Sequence, residues 1–342
     1  MADSCTVGEA NARVVVTHWV HPEVTAYLAG FCDPVLPSEA EGVWPPRQVA
    51  ELAATADGLM TCMADSIGAD FLAGCPRLRV ISATLKGYDN FDAEACARRG
   101  VWLTILPDML TVPTAELTVG LAIGIMRQIA RADQYVRNGD FAGWRPLFYG
   151  SALHGATVGF VGMGQVGQAV AARLRAFEAR IIYHDSRPLP ADLASHLSAA
   201  RLGLPGLLAA SDVVLVLLPL TTATRYLINA AALAAMRPGA FLVNAGRGSV
   251  VDEEAVADAL EGGLLGGYAA DVYAMEDWAL PGRPADIPRR LLNQPRTLFT
   301  PHLGSAVDEV RRRMSLEAAR QVEQALSGQR PDYAVNQPNP RP

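Results

Sequence analysis

Short apolar runs rich in Val, Ile and Leu alternate along the chain with stretches in which apolar residues recur at helical spacing. That rhythm predicts an α/β protein with parallel sheets, because parallel strands are buried on both faces and read as continuous apolar runs. In the first part, strands are expected at 14–17, 58–61, 79–82 and 101–105, with helical patterns over 47–56 and 93–99 between them. They outline a small doubly wound domain. At Pro113 the pattern changes. Thr111, Pro113 and Glu116 mark a helix start. The run that follows is rich in Leu, Ile, Ala and Met, then turns polar at Arg127, Arg131, Asp133 and Arg137 before Gly139. One long helix linking two domains is expected, with apolar surface to spare for a second subunit.

From Thr157 onward strands are expected at 157–161, 180–184, 213–218, 240–244, 267–272 and 297–300. Six strands with helices between them match a dinucleotide-binding sheet. A last helical pattern over 305–326 carries the chain back to the first domain, and the Pro-rich tail after Gly328 reads as poorly ordered.

Composition narrows the classes. A length of 342 residues favours two domains, and a half-hydrophobic chain with 19% charged residues can bury two cores. The net charge of −6 argues against a sequence-independent nucleic-acid binder, which needs clustered Lys and Arg. The five cysteines (Cys5, Cys32, Cys62, Cys75, Cys96) are odd in number and form no CxxC pair. They read as buried free thiols in a reducing cytosol, not as a zinc site or a disulfide framework. No secretory signal opens the chain, and its longest apolar stretch, Val213 to Pro219, is too short for a bilayer. A soluble cytoplasmic protein with no nucleic-acid or membrane partner is expected.

Candidate chemistry begins at Gly162-Met163-Gly164-Gln165-Val166-Gly167, a GxGxxG directly after an apolar strand and before a helical run. Gly162 makes the turn, Gly164 admits a pyrophosphate and Gly167 lets helix and strand pack closely. Amide groups at the helix start then face the phosphates. Asp185 ends the next strand, where a carboxylate binds the ribose hydroxyls of NAD. Arg187 beside it leaves room for some tolerance of NADP. Three further segments follow strands: Asn244 to Gly248, Asp271 to Glu276, and Pro301 to Ser305. Arg247 offers a fork of donors for an oxyanion, His302 can exchange a proton near neutral pH, and Glu276 can hold the imidazole ring. No cluster of metal ligands is visible.

These motifs resemble the D-2-hydroxyacid dehydrogenase superfamily: the GxGxxG with its Asp, the NxGRGxxVDE run from Asn244 to Glu253, the Glu after AADVY and the His of PHLGS. The resemblance covers nearly the whole chain. It implies two doubly wound domains, a Rossmann dinucleotide-binding domain over 111–305 inserted into a flavodoxin-like substrate domain built from 1–110 and 306–342. It also implies a cleft at their junction and a homodimer. By the same resemblance Arg247 binds substrate, His302 is the acid/base and Glu276 its partner. Leu217, Leu218, Pro219, Ala245, Gly246 and Asp271 would line the nicotinamide half of the cofactor.

Thr84 to Asp92 narrows the substrate. Relatives usually present a Gly-rich loop here, whose amides hold a carboxylate, but this chain reads Leu85-Lys86-Gly87-Tyr88. A Lys adds a full charge at the expected anion site, which suits a compact dianion. This stretch, with Gly100–Thr104, Pro107–Leu117 and Met275–Ala279, resembles the phosphite (phosphonate) dehydrogenases within the superfamily. That resemblance implies NAD-dependent oxidation of phosphite to phosphate. It also implies a pocket with Met63, Leu85, Gly87, Ser305 and Arg311, plus Trp144 and Tyr149 offered by a partner subunit. The chain departs from that pattern in a longer start and in Asp rather than Glu at Asp185. The alternatives are a glyoxylate or hydroxypyruvate reductase, and a non-enzymatic NAD-sensing corepressor.

Overall fold

A computed structural model describes residues 11–340. Cys5 and the start read as lacking a signal lie outside the described residues. The chain divides into two compact units, Met1–Met109 with Asp308–Pro342, and Leu110–Val307.

The first unit holds a five-stranded parallel sheet of β1 (Ala12–Val16), β2 (Cys32–Val35), β3 (Gly58–Thr61), β4 (Val80–Ala83) and β5 (Trp102–Thr104), in the order β2-β1-β3-β4-β5. This is the flavodoxin-like order expected of a doubly wound domain. Strand β2 was not anticipated, because Cys-Asp-Pro-Val is short and contains Pro34. Proline is tolerated at this sheet edge, where a missing N–H interrupts no ladder. The helix Asp308–Leu326 packs on β3 and β4 through Met314, Ala318 and Val322, all buried. Gly58 lets it approach, since a Cβ there would stand 3.2 Å from Val322 Cγ1.

The tail is ordered, which corrects the expectation for it. Val335 N–H donates to Leu103 O, Asn336 Oδ1 accepts from Leu103 N–H, Asn336 Nδ2 donates to Val101 O, and Asn339 N–H donates to Ala97 O. Proline content hid this because the segment is held by one side-chain amide and a few amides of its own, not by a regular element. Its anchor is the otherwise unpaired edge of β5.

The second unit carries β6 (Thr157–Val161), β7 (Arg180–His184), β8 (Ala199–Arg201), β9 (Val213–Val216), β10 (Ala240–Asn244), β11 (Leu265–Ala270) and β12 (Thr297–Phe299). All are parallel, in the order β12-β11-β10-β9-β6-β7-β8. This is a Rossmann sheet with one strand more than the six expected. The extra strand, β8, reads Ala-Ala-Arg, too short and polar to register as an apolar run. Each face has its own core: Val213 and Leu215 point into one cluster, Val214 and Val216 into the other.

The single helix expected from 113 to 139 is two, Thr111–Met126 and Ile129–Arg137. Between them Gln128 takes a left-handed conformation (φ 54°). The first helix buries nine of its sixteen residues, while the second buries none. The chain bends where burial ends. Among the described residues no helix is long and apolar enough to cross a membrane.

Candidate active site

The ends of β6, β9, β10 and β11 bring the expected cofactor residues together. Gly162, at φ 102°, turns so tightly that a Cβ would stand 2.8 Å from Leu217 O. A Cβ on Gly246 would meet Leu218 O at 2.6 Å, and one on Gly167 would meet Gly162 O at 2.6 Å. Three backbones therefore converge where only glycine fits. Gly164 differs: it caps the helix Gln165–Leu174, and nothing lies within 4 Å of where its Cβ would be. Open space over a helix start that carries Gln165 and Val166 is what a pyrophosphate needs, so these residues fit NAD. Ala245 N–H donates to Val216 O, which holds 245–246 beside 217–219.

Asp185 leaves the end of β7 and turns toward this loop. Its Oδ2 accepts from Met163 N–H at 2.7 Å, and Oδ1 accepts from Arg187 N–H at 3.1 Å. Burial works against its charge, but these bonds prevail and hold the carboxyl below its usual range. Arg201, which the sequence did not single out, donates to Asp185 O and adds a second cation near Arg187 on the same rim.

The catalytic candidates sit on three turns. Arg247 is extended (φ −142°) at the start of the one-turn helix Gly248–Val250, and its Nη1 donates to Gly246 O at 3.0 Å. Asn244 staples that turn: its Oδ1 accepts from Gly246 N–H, and its Nδ2 donates to Arg247 O. Glu276 closes the one-turn helix Ala274–Glu276, with Oε2 accepting from Tyr273 N–H at 2.9 Å and Oε1 lying 3.1 Å from His302 Nδ1. A carboxylate on Nδ1 fixes the ring and its tautomer, so Nε2 is presented for proton exchange.

His302 is itself left-handed, at φ 56°. A histidine held there costs on the order of 1 kcal/mol, and the surroundings enforce it. Asp271 Oδ1 accepts from Leu303 N–H (2.7 Å) and Thr300 Oγ1 (2.6 Å), and Oδ2 accepts from Gly304 N–H (2.9 Å). Asp271 is buried under the His302 loop with both oxygens engaged, so it organises that loop. Ser305 follows in the same loop and is partly buried.

In the first unit, Met63 follows β3, and Leu85, Lys86 and Gly87 follow β4. Leu85 is buried and is a core residue. Lys86 Nζ lies 2.8 Å from Asp108 Oδ1, an ion pair not foreseen from sequence. Arg311, in the first turns of Asp308–Leu326, is largely buried and donates to Thr84 O at 3.2 Å. Two buried groups beside it were also missed. Asp65 Oδ2 accepts from Thr17 Oγ1 and Cys62 N–H, and burial raises its pKa. His18 Nε2 stands 3.4 Å from Thr84 Oγ1; burial, then the Arg311 charge, push the imidazole down to about 3. Both lie at strand ends, and their burial leaves no mark in local sequence. Trp144 and Tyr149 are 82% and 75% exposed on the second unit, where Tyr149 lines a shallow cavity with Arg127, Leu147 and Phe148.

A glycine-rich turn opening a helix, a carboxylate ending the next strand and an Arg–Glu–His set on strand-following turns define a nicotinamide-dinucleotide dehydrogenase. The family model described as "D-isomer specific 2-hydroxyacid dehydrogenase, NAD binding domain" matches residues 119–304. The chain is 37% identical to a glyoxylate reductase of Aeropyrum pernix over 95% of its own length and 96% of that protein's. A solved protein of Thermus thermophilus shares its fold with a TM-score of 0.84 and 35% identity, covering 94% of this chain and 99% of that one. A glyoxylate/hydroxypyruvate reductase of Sinorhizobium meliloti, solved with NADP and malonate, gives a TM-score of 0.80 at 29% identity over 97% and 99%. The chain belongs to the D-isomer specific 2-hydroxyacid dehydrogenase family, and it is an NAD-dependent oxidoreductase of that family.

Proposed function

We propose that this dehydrogenase oxidises phosphite to phosphate with NAD. The observation that carries this reading is Lys86, a cation in the loop after β4 that is held by an ion pair to Asp108 at 2.8 Å. Its Asp108 partner is more than half exposed, and exposed ion pairs contribute only about 0–1 kcal/mol. An incoming dianion can therefore displace Asp108 at little cost. Arg247 supplies the second cation, and Arg311, Met63, Gly87 and Ser305 are the further substrate contacts proposed. Bound NAD supplies the acceptor for the hydride that leaves phosphorus. His302 Nε2 takes the proton of the water whose oxygen forms the new P–O bond, and Glu276 steadies the imidazolium.

A second reading is reduction of a small 2-oxo acid of the glyoxylate type, and the relatives' names favour it. The glyoxylate reductases of archaea are 34–37% identical to this chain. There Arg247 would hold the carboxylate and His302 would donate the proton to the new hydroxyl. Identity at that level supports the fold and the dehydrogenase family, whereas a few loop residues choose the substrate, and Lys86 is the one that favours phosphite.

NADH absorbance decides. Phosphite with NAD should generate NADH, and glyoxylate or hydroxypyruvate should consume little. Rapid NADH consumption without phosphite oxidation would install the second reading. Lys86→Ala should lose on the order of 30- to 1,000-fold in kcat/KM for phosphite, the equivalent of about 2–4 kcal/mol. Lys86→Arg should keep part of it.

A further inference from the structure

We propose that Glu253 is a positioning residue for the Glu276–His302 pair, tying the turn that carries Arg247 to the turn that carries Glu276. This rests on the reading above in one respect, that His302 is the group that exchanges the proton.

Glu253 opens the helix Glu253–Glu261, but it does not cap it. That task falls to Asp252, whose side chain accepts from Ala255 N–H. Glutamate at a first helical position normally reaches into water, where the helix dipole favours it. Glu253 is instead only 5% exposed. Its Oε1 accepts from Ala274 N–H at 2.9 Å, and its Oε2 is buried with no partner among the described residues.

Ala274 begins the one-turn helix that ends in Glu276, so Glu253 holds the backbone immediately after Tyr273, whose own N–H fixes Glu276 Oε2. Two more ties join the same turns. Ser249 N–H donates to Asp277 Oδ2 at 2.8 Å, and Gly248 packs so closely that a Cβ would stand 1.8 Å from the Tyr273 carbonyl carbon. Glu253 can change charge beside the pair while it bonds to the backbone of the Glu276 turn.

The groups that face Glu253 are almost all acidic. Glu276, Asp277 and Glu254 act on it, and the phenols of Tyr268 and Tyr273 stand within its field. Burial first, then these carboxylates, push its carboxyl up to about 7. Ionised Glu253 adds negative charge behind Glu276 and favours the imidazolium of His302; neutral Glu253 removes that bias.

The test uses the full chain with NAD and whichever substrate it turns over. Glu253→Gln keeps an acceptor for Ala274 N–H but cannot ionise. Its His302-governed limb of the kcat/KM profile should move to lower pH by about half a unit or more, with NADH Kd unchanged within about twofold. The direction is the same for oxidation and reduction, because the lost charge disfavours the imidazolium in both. Glu253→Ala removes the tie and should lower kcat by about ten- to a hundredfold at unchanged NADH affinity. Glu253→Gln with the parent's profile overturns the proposal, and that profile decides alone if Glu253→Ala does not fold. His302→Ala is measured alongside. Full activity there would remove His302 from proton transfer, whereas an inactive His302→Ala with an unshifted Glu253→Gln removes only the role given to Glu253.

Discussion

Glu276 shows how much of the proposed proton-exchanging pair is decided by its backbone neighbours. One of its oxygens accepts from Tyr273 N–H, and the other lies 3.1 Å from His302 Nδ1. Glu276→Gln should keep that geometry and lose the charge, moving the acid limb of the pH–rate profile down while kcat at the plateau falls only modestly. His302→Ala should nearly abolish turnover and leave NADH binding intact by fluorescence titration. Asp185 holds Met163 N–H, and we propose for it a second task, binding the ribose hydroxyls of NAD. Asp185→Asn retains the acceptor and should narrow the preference for NAD over NADP by about tenfold or more, with Arg187 and Arg201 available to the extra phosphate. Should the parent prefer NADP, Asp185 does not read the ribose. His18 gives a stability prediction. Its folded pKa, about 3, lies below the unfolded value near 6.5, so the unfolded chain binds the extra proton between those limits. Stability is therefore lost as pH falls from about 6.5 toward 3. Urea unfolding at pH 6.5 and 4.5 should show His18→Leu losing on the order of 2 kcal/mol less than the parent.

Elements were legible from sequence wherever a strand was buried on both faces. The runs at 58–61, 157–161, 180–184 and 240–244 coincide with β3, β6, β7 and β10, and the order of catalytic turns followed from them. Of the four edge strands, β5 and β12 were anticipated at 101–105 and 297–300, and the other two were not. Strands β2 and β8 lie at sheet margins, where short, polar or proline-bearing segments suffice because one ladder of hydrogen bonds is enough. The bend at Gln128 was invisible for a related reason: helical periodicity continues through it, and only the end of burial forces the turn. Among the site residues, those carrying a motif were read directly, while Asp65, His18 and the Lys86–Asp108 pair depend on tertiary proximity. The turns are the less forgiving elements. Gly248→Ala would push a methyl into the Tyr273 carbonyl, and thermal unfolding should show a loss of about 1–3 kcal/mol, together with a fall in kcat as the Arg247 turn shifts.

At the scale of the molecule, apolar side chains stay exposed in one stretch: Ile129 and Val136 on the outer helix, then Phe141, Trp144, Leu147 and Tyr149. A second copy of the chain is the proposed cover for it, and sedimentation should give a dimer at micromolar concentration. A fully active monomer there would end that proposal and the pocket role of Trp144 and Tyr149. The division of the chain has another consequence, for the order in which a ribosome delivers the parts. The first sheet is complete only when Asp308–Leu326 covers β3 and β4 and Asn336 closes the edge of β5. Residues 11–109 leave the ribosome first yet lack these pieces until synthesis is almost over, whereas Leu110–Val307 already holds both of its cores. The N-terminal segment thus waits while the later one folds, reversing the usual vectorial order. Nascent chains arrested with residue 307 just outside the exit tunnel should resist protease over 110–307 and be cut within 11–109.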